Sequence, residues 1–216
     1  MIHSTRLIIL NVTKVGEKSL VLHALSPDLG RRSYIVSVGP KGGMALYLPL
    51  NILECEVVEN PKSDLWRLRG ITAVHPLNGI RSNMYKNTMS LFMSEVLYRA
   101  VREGVCEMSL FEWCEQSILT LDALESDFSN FHLRFLLELS SAMGFSPCLE
   151  DLMPFAGRHL SDIRDLLAKD FASSLLVPLS GEVRCEIAES LLQYLSFHTD
   201  SRIEVRSLKV LREVYD

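Results

Sequence analysis

Six histidines and five cysteines are the side chains of this 216-residue sequence best suited to catalysis or metal binding, and their spacing supports neither. His3, His23, His75, His132, His159 and His198 are scattered, with no pair at metal-site separation, and read as surface or capped imidazoles. Cys55, Cys106, Cys114, Cys148 and Cys185 are odd in number and contain no C-x-x-C pair. That argues against a disulfide framework and a zinc ribbon, and for reduced cysteines packed as small apolar residues. Glu54 and Glu56 lie two apart on an expected strand and share a face, where a solvated surface accounts for them better than an acid–base dyad. Lys41-Gly42-Gly43 lacks the Gly-Lys-Ser/Thr ending of a phosphate cradle and reads as a hairpin tip. Neither G-x-S-x-G nor H-E-x-x-H occurs. The residues therefore propose no catalytic group, no metal and no cofactor.

Recognition remains. Arg31 and Arg32 flank the turn into an expected third strand, and Arg67 and Arg69 project from one face of a fifth, with Trp66 and Leu68 on the other. A barrel that binds single strands needs cations to track phosphates and aromatic rings to stack on bases, for which Tyr34 and Tyr47 are candidates. Ordinary barrel packing explains each tyrosine singly as well. Lys41 is the one cation in the Gly39–Met44 loop, which thins any phosphate contact there.

Two patterns run along the chain. From Thr5 to His75, β-prone runs at Arg6–Lys14, Ser19–Leu25, Arg32–Val38, Leu48–Val58 and Leu65–His75 are separated by Gly, Pro and Asp turns. Five short strands in that span suit a closed five-stranded barrel, of OB or SH3-like type. Near Asn78-Gly79 the period changes to that of helices. Helices are expected over Met84–Glu103, closed by Gly104, from Ser109 in a capping-box spacing with Glu112, and over Phe128–Met143, stopped by Gly144 and Pro147. Residues 148–180, broken by Pro154, Gly157 and Pro178, suggest one short helix at Ser161–Lys169; Gly181–Phe197 and Val205–Tyr215 suggest two final ones. The fold class is α+β: an N-terminal barrel at residues 1–79 and an all-α bundle at 80–216.

Charge follows the same division. Residues 1–80 carry nine Lys/Arg against six Asp/Glu, a net of +3; the remainder carries 13 against 21, a net of −8. A mildly basic part joined to an acidic one suggests two modules with different partners, although +3 is also within ordinary scatter. The longest apolar runs are too short to span a bilayer, and no secretory signal is visible, so a cytoplasmic protein is expected.

Leu91-Phe92-Met93-Ser94-Glu95-Val96-Leu97-Tyr98-Arg99-Ala100-Val101-Arg102-Glu103 resembles the first long helix of the RecO recombination-mediator family, in its Bacteroidetes form. So do Phe128–Leu137 with Gly144-Phe145-Ser146-Pro147, and Arg206–Val214 resembles that family's ending. Val15–Leu20 and Leu25–Gly30 resemble the hairpin of its N-terminal OB domain. The blocks cover nearly the whole chain in order.

The resemblance implies an OB barrel followed by a helical domain, and a mediator of DNA repair and recombination without nucleotide hydrolysis. Such proteins bind and anneal single- and double-stranded DNA, work with RecR, and help load RecA onto strands coated by single-stranded-DNA-binding protein (SSB). It places DNA contacts on the barrel, here Arg31, Arg32, Tyr34, Lys41, Arg67 and Arg69. It places a groove for the acidic, hydrophobic SSB tail on the helical domain, where Arg99, Arg102 and Arg134 are candidates. Many members carry a four-cysteine zinc module after the third helix; this chain has only Cys148 there, so no zinc is expected. A protein-only scaffold, with a barrel that no longer binds DNA, is the alternative.

Overall fold

β-Branched and aliphatic runs interrupted by turn residues form five strands: β1 (Ile2–Val15), β2 (Ser19–Ser26), β3 (Gly30–Ser37), β4 (Ile52–Val58) and β5 (Trp66–Ala73). The computed structural model describes residues 2–38, 43–104 and 107–215. The strands close into a barrel in the order β1-β2-β3-β5-β4. A bulge between Ile9 and Asn11 bends the long β1, so that its first half pairs with β4 and its second with β2. Closure comes from a short parallel contact, Tyr34↔Trp66 and Ile35↔Arg67, between β3 and β5. That order and parallel seam are those of the OB barrel, which strand count alone left open.

Inward rows of each strand make the barrel core, among them Leu7, Leu22, Tyr34, Leu53 and Val57, all fully buried. The expected fourth strand begins late. Leu50 takes a left-handed φ of 61°, and the Asn51 amide holds the carbonyls of Ala45 and Leu46 at 2.8 and 3.0 Å. Met44–Tyr47 is therefore a 3-10 turn, and pairing starts only at Ile52.

The helices are α1 (Asn78–Ser82), α2 (Met84–Ala100), α3 (Met108–Ala123), α4 (Phe131–Ala142), α5 (Leu149–Ala156), α6 (Leu160–Ala168), α7 (Phe171–Leu175), α8 (Gly181–Thr199) and α9 (Ser207–Tyr215). Met108 is already helical, so Ser109 lies inside the first turn of α3 and not at its cap. Pro154 sits within α5 without ending it; the stop comes at Gly157, with φ 50°. Among the described residues no helix is long and apolar enough to cross a membrane.

The chain divides into two compact units, residues 1–78 with 101–118, and residues 79–100 with 119–216. In the first unit the Arg6 guanidinium on β1 lies 5.4 Å from the Phe111 ring centroid and donates to both Glu115 oxygens, at 2.5 and 2.7 Å. This bidentate pair ties the first part of α3 to the barrel.

In the second unit, polar side chains fasten helix ends. Lys86 is buried and donates to the Asp122 carbonyl at 3.0 Å, while the Asp122 carboxylate accepts from the Ile80 amide at 2.8 Å. Asn130, also buried, donates to the carbonyls of Ser174, Leu175 and Val177. Glu95 accepts from the Ser207 amide and hydroxyl at 2.9 and 2.7 Å, anchoring the start of α9 on α2.

Candidate nucleic-acid and partner interfaces

Strand alternation decides where each barrel cation goes. Gly30, Arg32, Tyr34 and Val36 form the inward row of β3, whereas Arg31, Ser33 and Ile35 point outward. Tyr34 is 0 % exposed, in the centre of the core, and burial pushes its phenol well above the ordinary range. It cannot stack on a base, so its place among the nucleic-acid contacts is corrected. Tyr47, 9 % exposed, is likewise core, with its phenol raised by burial.

Arg32 lies at the end of the inward row, its guanidinium 4.1 Å from the Trp66 ring centroid, where it closes one end of the barrel core. Arg31 is half-buried on the outer face, and its carbonyl accepts from the Gly104 amide at 2.9 Å. Beside it, His23 bonds Ser33 at 2.9 Å, and its pKa is lowered by burial and by the Arg31 charge, with Glu103 opposing.

Arg67 and Arg69 are exposed on β5, with Leu68 buried between them, as alternation predicts. Their cross-strand neighbours on β4 are Val58 and Glu56, while Glu54 faces Arg6 on β1. Exposed Glu54 and Glu56 thus interleave with Arg6 and Arg69, and this outer face is mixed in sign. Lys41 lies outside the described residues.

On the helices, the three arginines are not brought to one surface of one unit. Arg102 belongs with the barrel unit, Arg99 and Arg134 with the helical one. Arg99 is exposed, its guanidinium 5.8 Å from the Tyr98 ring. It neighbours Glu95, whose carboxyl is raised by burial but held below its ordinary value overall by the Ser207 and Arg206 hydrogen bonds and the Arg99 charge. Arg134 is engaged within the fold. It donates to Glu138 at 2.7 Å and to the Leu166 and Lys169 carbonyls at 3.3 and 3.2 Å, capping the end of α6.

A cleft of about 770 Å³ opens between α8 and α9, which the sequence reading missed. Leu192, Ile203 and Leu208 give it apolar walls; Arg206, Lys209 and Arg212 line it with cations, against Glu189 and Glu204. The signal was present: Lys209 and Arg212 share one face of α9, Arg206 stands just before it, and Leu208 and Leu211 are buried.

Two of the histidines are buried: one departs from the surface or capped setting expected, the other is capped by carboxylates. His132 is 2 % exposed, edge-on to Phe92 at 5.9 Å, and burial with the Arg184 charge lowers its pKa to about 3. His159 is buried between Asp162, at 3.1 Å, and Glu186, and the Glu186 hydrogen bond raises its pKa against the cost of burial. Cys55, Cys114 and Cys185 are buried, but Cys148 is exposed at the start of α5, its thiol 3.0 Å from the Asp151 carboxylate; Cys106 lies outside the described residues. Among the described residues no three His, Cys, Asp or Glu side chains converge as a metal site.

Comparison with known proteins adds the family context. Residues 81–152 match the family model described as Recombination protein O C terminal. The chain is 31 % identical over 228 residues to the DNA repair protein RecO of Bacteroides fragilis, an alignment covering all of this chain and 91 % of that one. It is 28 % identical over 240 residues to the protein of that name from Phocaeicola vulgatus, with both chains covered in full. With the Flavobacterium psychrophilum protein of the same name it shares 28 % over 234 residues, 98 % of each chain.

Proposed function

The chain belongs to the RecO family of DNA repair proteins, and from that membership we propose that it is a recombination mediator working by contact alone. A role in DNA repair and recombination follows from the family. The finer reading is that it binds and anneals single- and double-stranded DNA in the cytoplasm and at the nucleoid. With RecR, it helps RecA load onto SSB-coated single strands. No covalent step is assigned to it.

The observation that carries this reading is the full-length relation to RecO proteins joined to a five-stranded OB barrel. Arg31, Arg67 and Arg69 supply outward cations for a phosphate backbone. For the acidic, hydrophobic SSB tail, the α8–α9 cleft is a better host than Arg134, because its cations border apolar walls while Arg134 holds α6. Titration of the SSB C-terminal peptide is expected to weaken at least about tenfold in Arg206→Ala/Arg212→Ala and little in Arg134→Ala, each charge-assisted contact being worth about 1.5–3 kcal/mol. The reverse order would return the tail to the Arg134 surface.

DNA binding is tested by fluorescence anisotropy with a single-stranded oligonucleotide at low and moderate salt. Three outward cations predict a slope of log K against log salt of about −2. The mixed-sign face bearing Glu54 and Glu56 favours one second reading, a protein-only scaffold. Absence of any salt-sensitive binding, alone or with RecR, would decide for that scaffold.

A further inference from the structure

The inward row of β1 carries a residue that does not fit a barrel core. Across the bulge that row runs Ile9, Val12 and Lys14, opposite Ala24, Leu22 and Leu20 of β2. The first two positions pack on the core; the third is an exposed lysine whose register partner Leu20 is buried. Lys14 thus stands at the mouth of the barrel, on the side where the β1–β2 hairpin turns through Gly16, Glu17 and Lys18.

A cavity of about 430 Å³ opens at this mouth. Leu20, Val38 and Met44 form an apolar floor, and Lys14 and Lys18 stand at the rim with a single carboxylate, Glu17. Two backbone hydrogen bonds frame the site: the Val38 amide donates to the Lys18 carbonyl at 2.9 Å, and the Leu46 amide to the Gly43 carbonyl at 3.0 Å in the turn that carries Met44. Met44 is 55 % exposed, an apolar side chain at the edge of the cavity. The outward arginines offer no comparable recess, being spread along strand faces among carboxylates, and Arg32 is already stacked on Trp66.

We propose that this barrel-mouth pocket takes one unstacked nucleotide of a single strand, with Lys14 and Lys18 on its phosphodiester and the Leu20–Val38–Met44 floor against the base. An apolar floor rewards burial of a base whose face is bare; in a duplex that face is covered by its neighbours, so the pocket selects single strands. Two lysines against one glutamate complement a phosphodiester, and the volume is that of a small-ligand cleft. The inference rests on the DNA-binding reading above and sharpens it, naming an anchor point in place of a diffuse face.

The test is anisotropy of the full chain with an oligo-dT, an abasic oligonucleotide of equal length, and a duplex. Lys14→Gln/Lys18→Gln keeps the side-chain stems and is compared with Arg67→Ala/Arg69→Ala. The lysine pair is expected to weaken oligo-dT binding about tenfold and to flatten the salt slope by about 0.7, the share of the one phosphodiester that both face. Met44→Ala is expected to lower affinity several-fold for oligo-dT and to leave the abasic and duplex probes unchanged. All these side chains are exposed, so melting temperatures should stay with the parent.

The pocket is rejected if the parent binds salt-sensitively but the lysine pair is silent and the arginine pair carries the loss; DNA binding itself then stands. Equal affinity of the parent for oligo-dT and the abasic probe also rejects it, as does displacement of oligo-dT from the parent, but not from the lysine pair, by an acidic peptide of matched charge. A parent chain that binds no DNA, alone or with RecR, overturns the underlying reading and the pocket with it.

Discussion

In the helical unit Asn130 is buried and its amide holds three main-chain carbonyls, whereas on the barrel Arg67 and Arg69 point into solvent opposite Val58 and Glu56. The contrast is general. Strand ladders satisfy the barrel backbone by themselves, so Arg67 and Arg69 are not needed to answer main-chain groups. Helices leave unsatisfied amides and carbonyls at each end, and here Lys86, Asp122, Asn130 and Arg134 answer them. Polar residues in the helices are therefore chiefly a matter of stability, while the barrel divides them: Arg6, Arg32 and Asn51 hold structure, and Arg67 and Arg69 stay exposed.

Gly79→Ala should break the chain most severely. A Cβ at this position would overlap the main-chain carbonyl of Asp122, in the last turn of α3, whose carboxylate also caps Ile80. Backbone cannot yield as a flexible side chain does, so a loss of about 3 kcal/mol is expected in denaturant unfolding. A near-parental midpoint would show that α1 does not seat on α3 as described.

A second effect is set by pH. Burial holds His132 neutral, at about 3 against 6.5 for an ordinary histidine. A depressed folded value gives stability that is complete above the unfolded value and drains as pH falls from there, by about 1.4 kcal/mol per unit. His159 runs the other way: its raised value gives stability present below the unfolded pKa and lost as pH rises through the folded one. His132→Leu should therefore remove most of the acid loss between about pH 6.5 and 5, leaving the opposite trend of His159. If parent and variant melt with the same pH slope, the acid-sensitive proton is elsewhere.

The smallest effects belong to the barrel surface and sharpen the contrast from its other side. Arg32→Ala, which uncovers Trp66, should cost about 1 kcal/mol. Arg67→Ala/Arg69→Ala should stay within about 0.5 kcal/mol of the parent while lowering DNA affinity and its salt slope. A double variant as unstable as Arg32→Ala would mean that the outer face is structural after all.

Much of this was legible in the sequence. Turn residues such as Ser26-Pro27-Asp28 and Asn60-Pro61-Lys62 delimit the strands, and Gly144 and Pro147 close α4, because these are local backbone preferences. Tyr34 was misassigned because residue type was weighed ahead of period: it shares a row with Val36, which is plainly core. Arg134 was not legible, since the carbonyls it holds lie 32 and 35 residues away in sequence. The α8–α9 cleft was half legible; the cationic stripe is in the spacing, but the opposing wall comes only with the fold.

The parallel contact between β3 and β5 has only two register pairs, against seven between β1 and β4. A cylinder closed so unevenly has a seam, and local opening starts where the fewest ladder bonds must break. Amides around Tyr34 and Trp66 should exchange with solvent before those of β1 and β4, with the Arg32–Trp66 stack acting as a latch across the gap. The barrel is then less a rigid cup than a split ring, joined at one place by a short ladder with an arginine stacked across it.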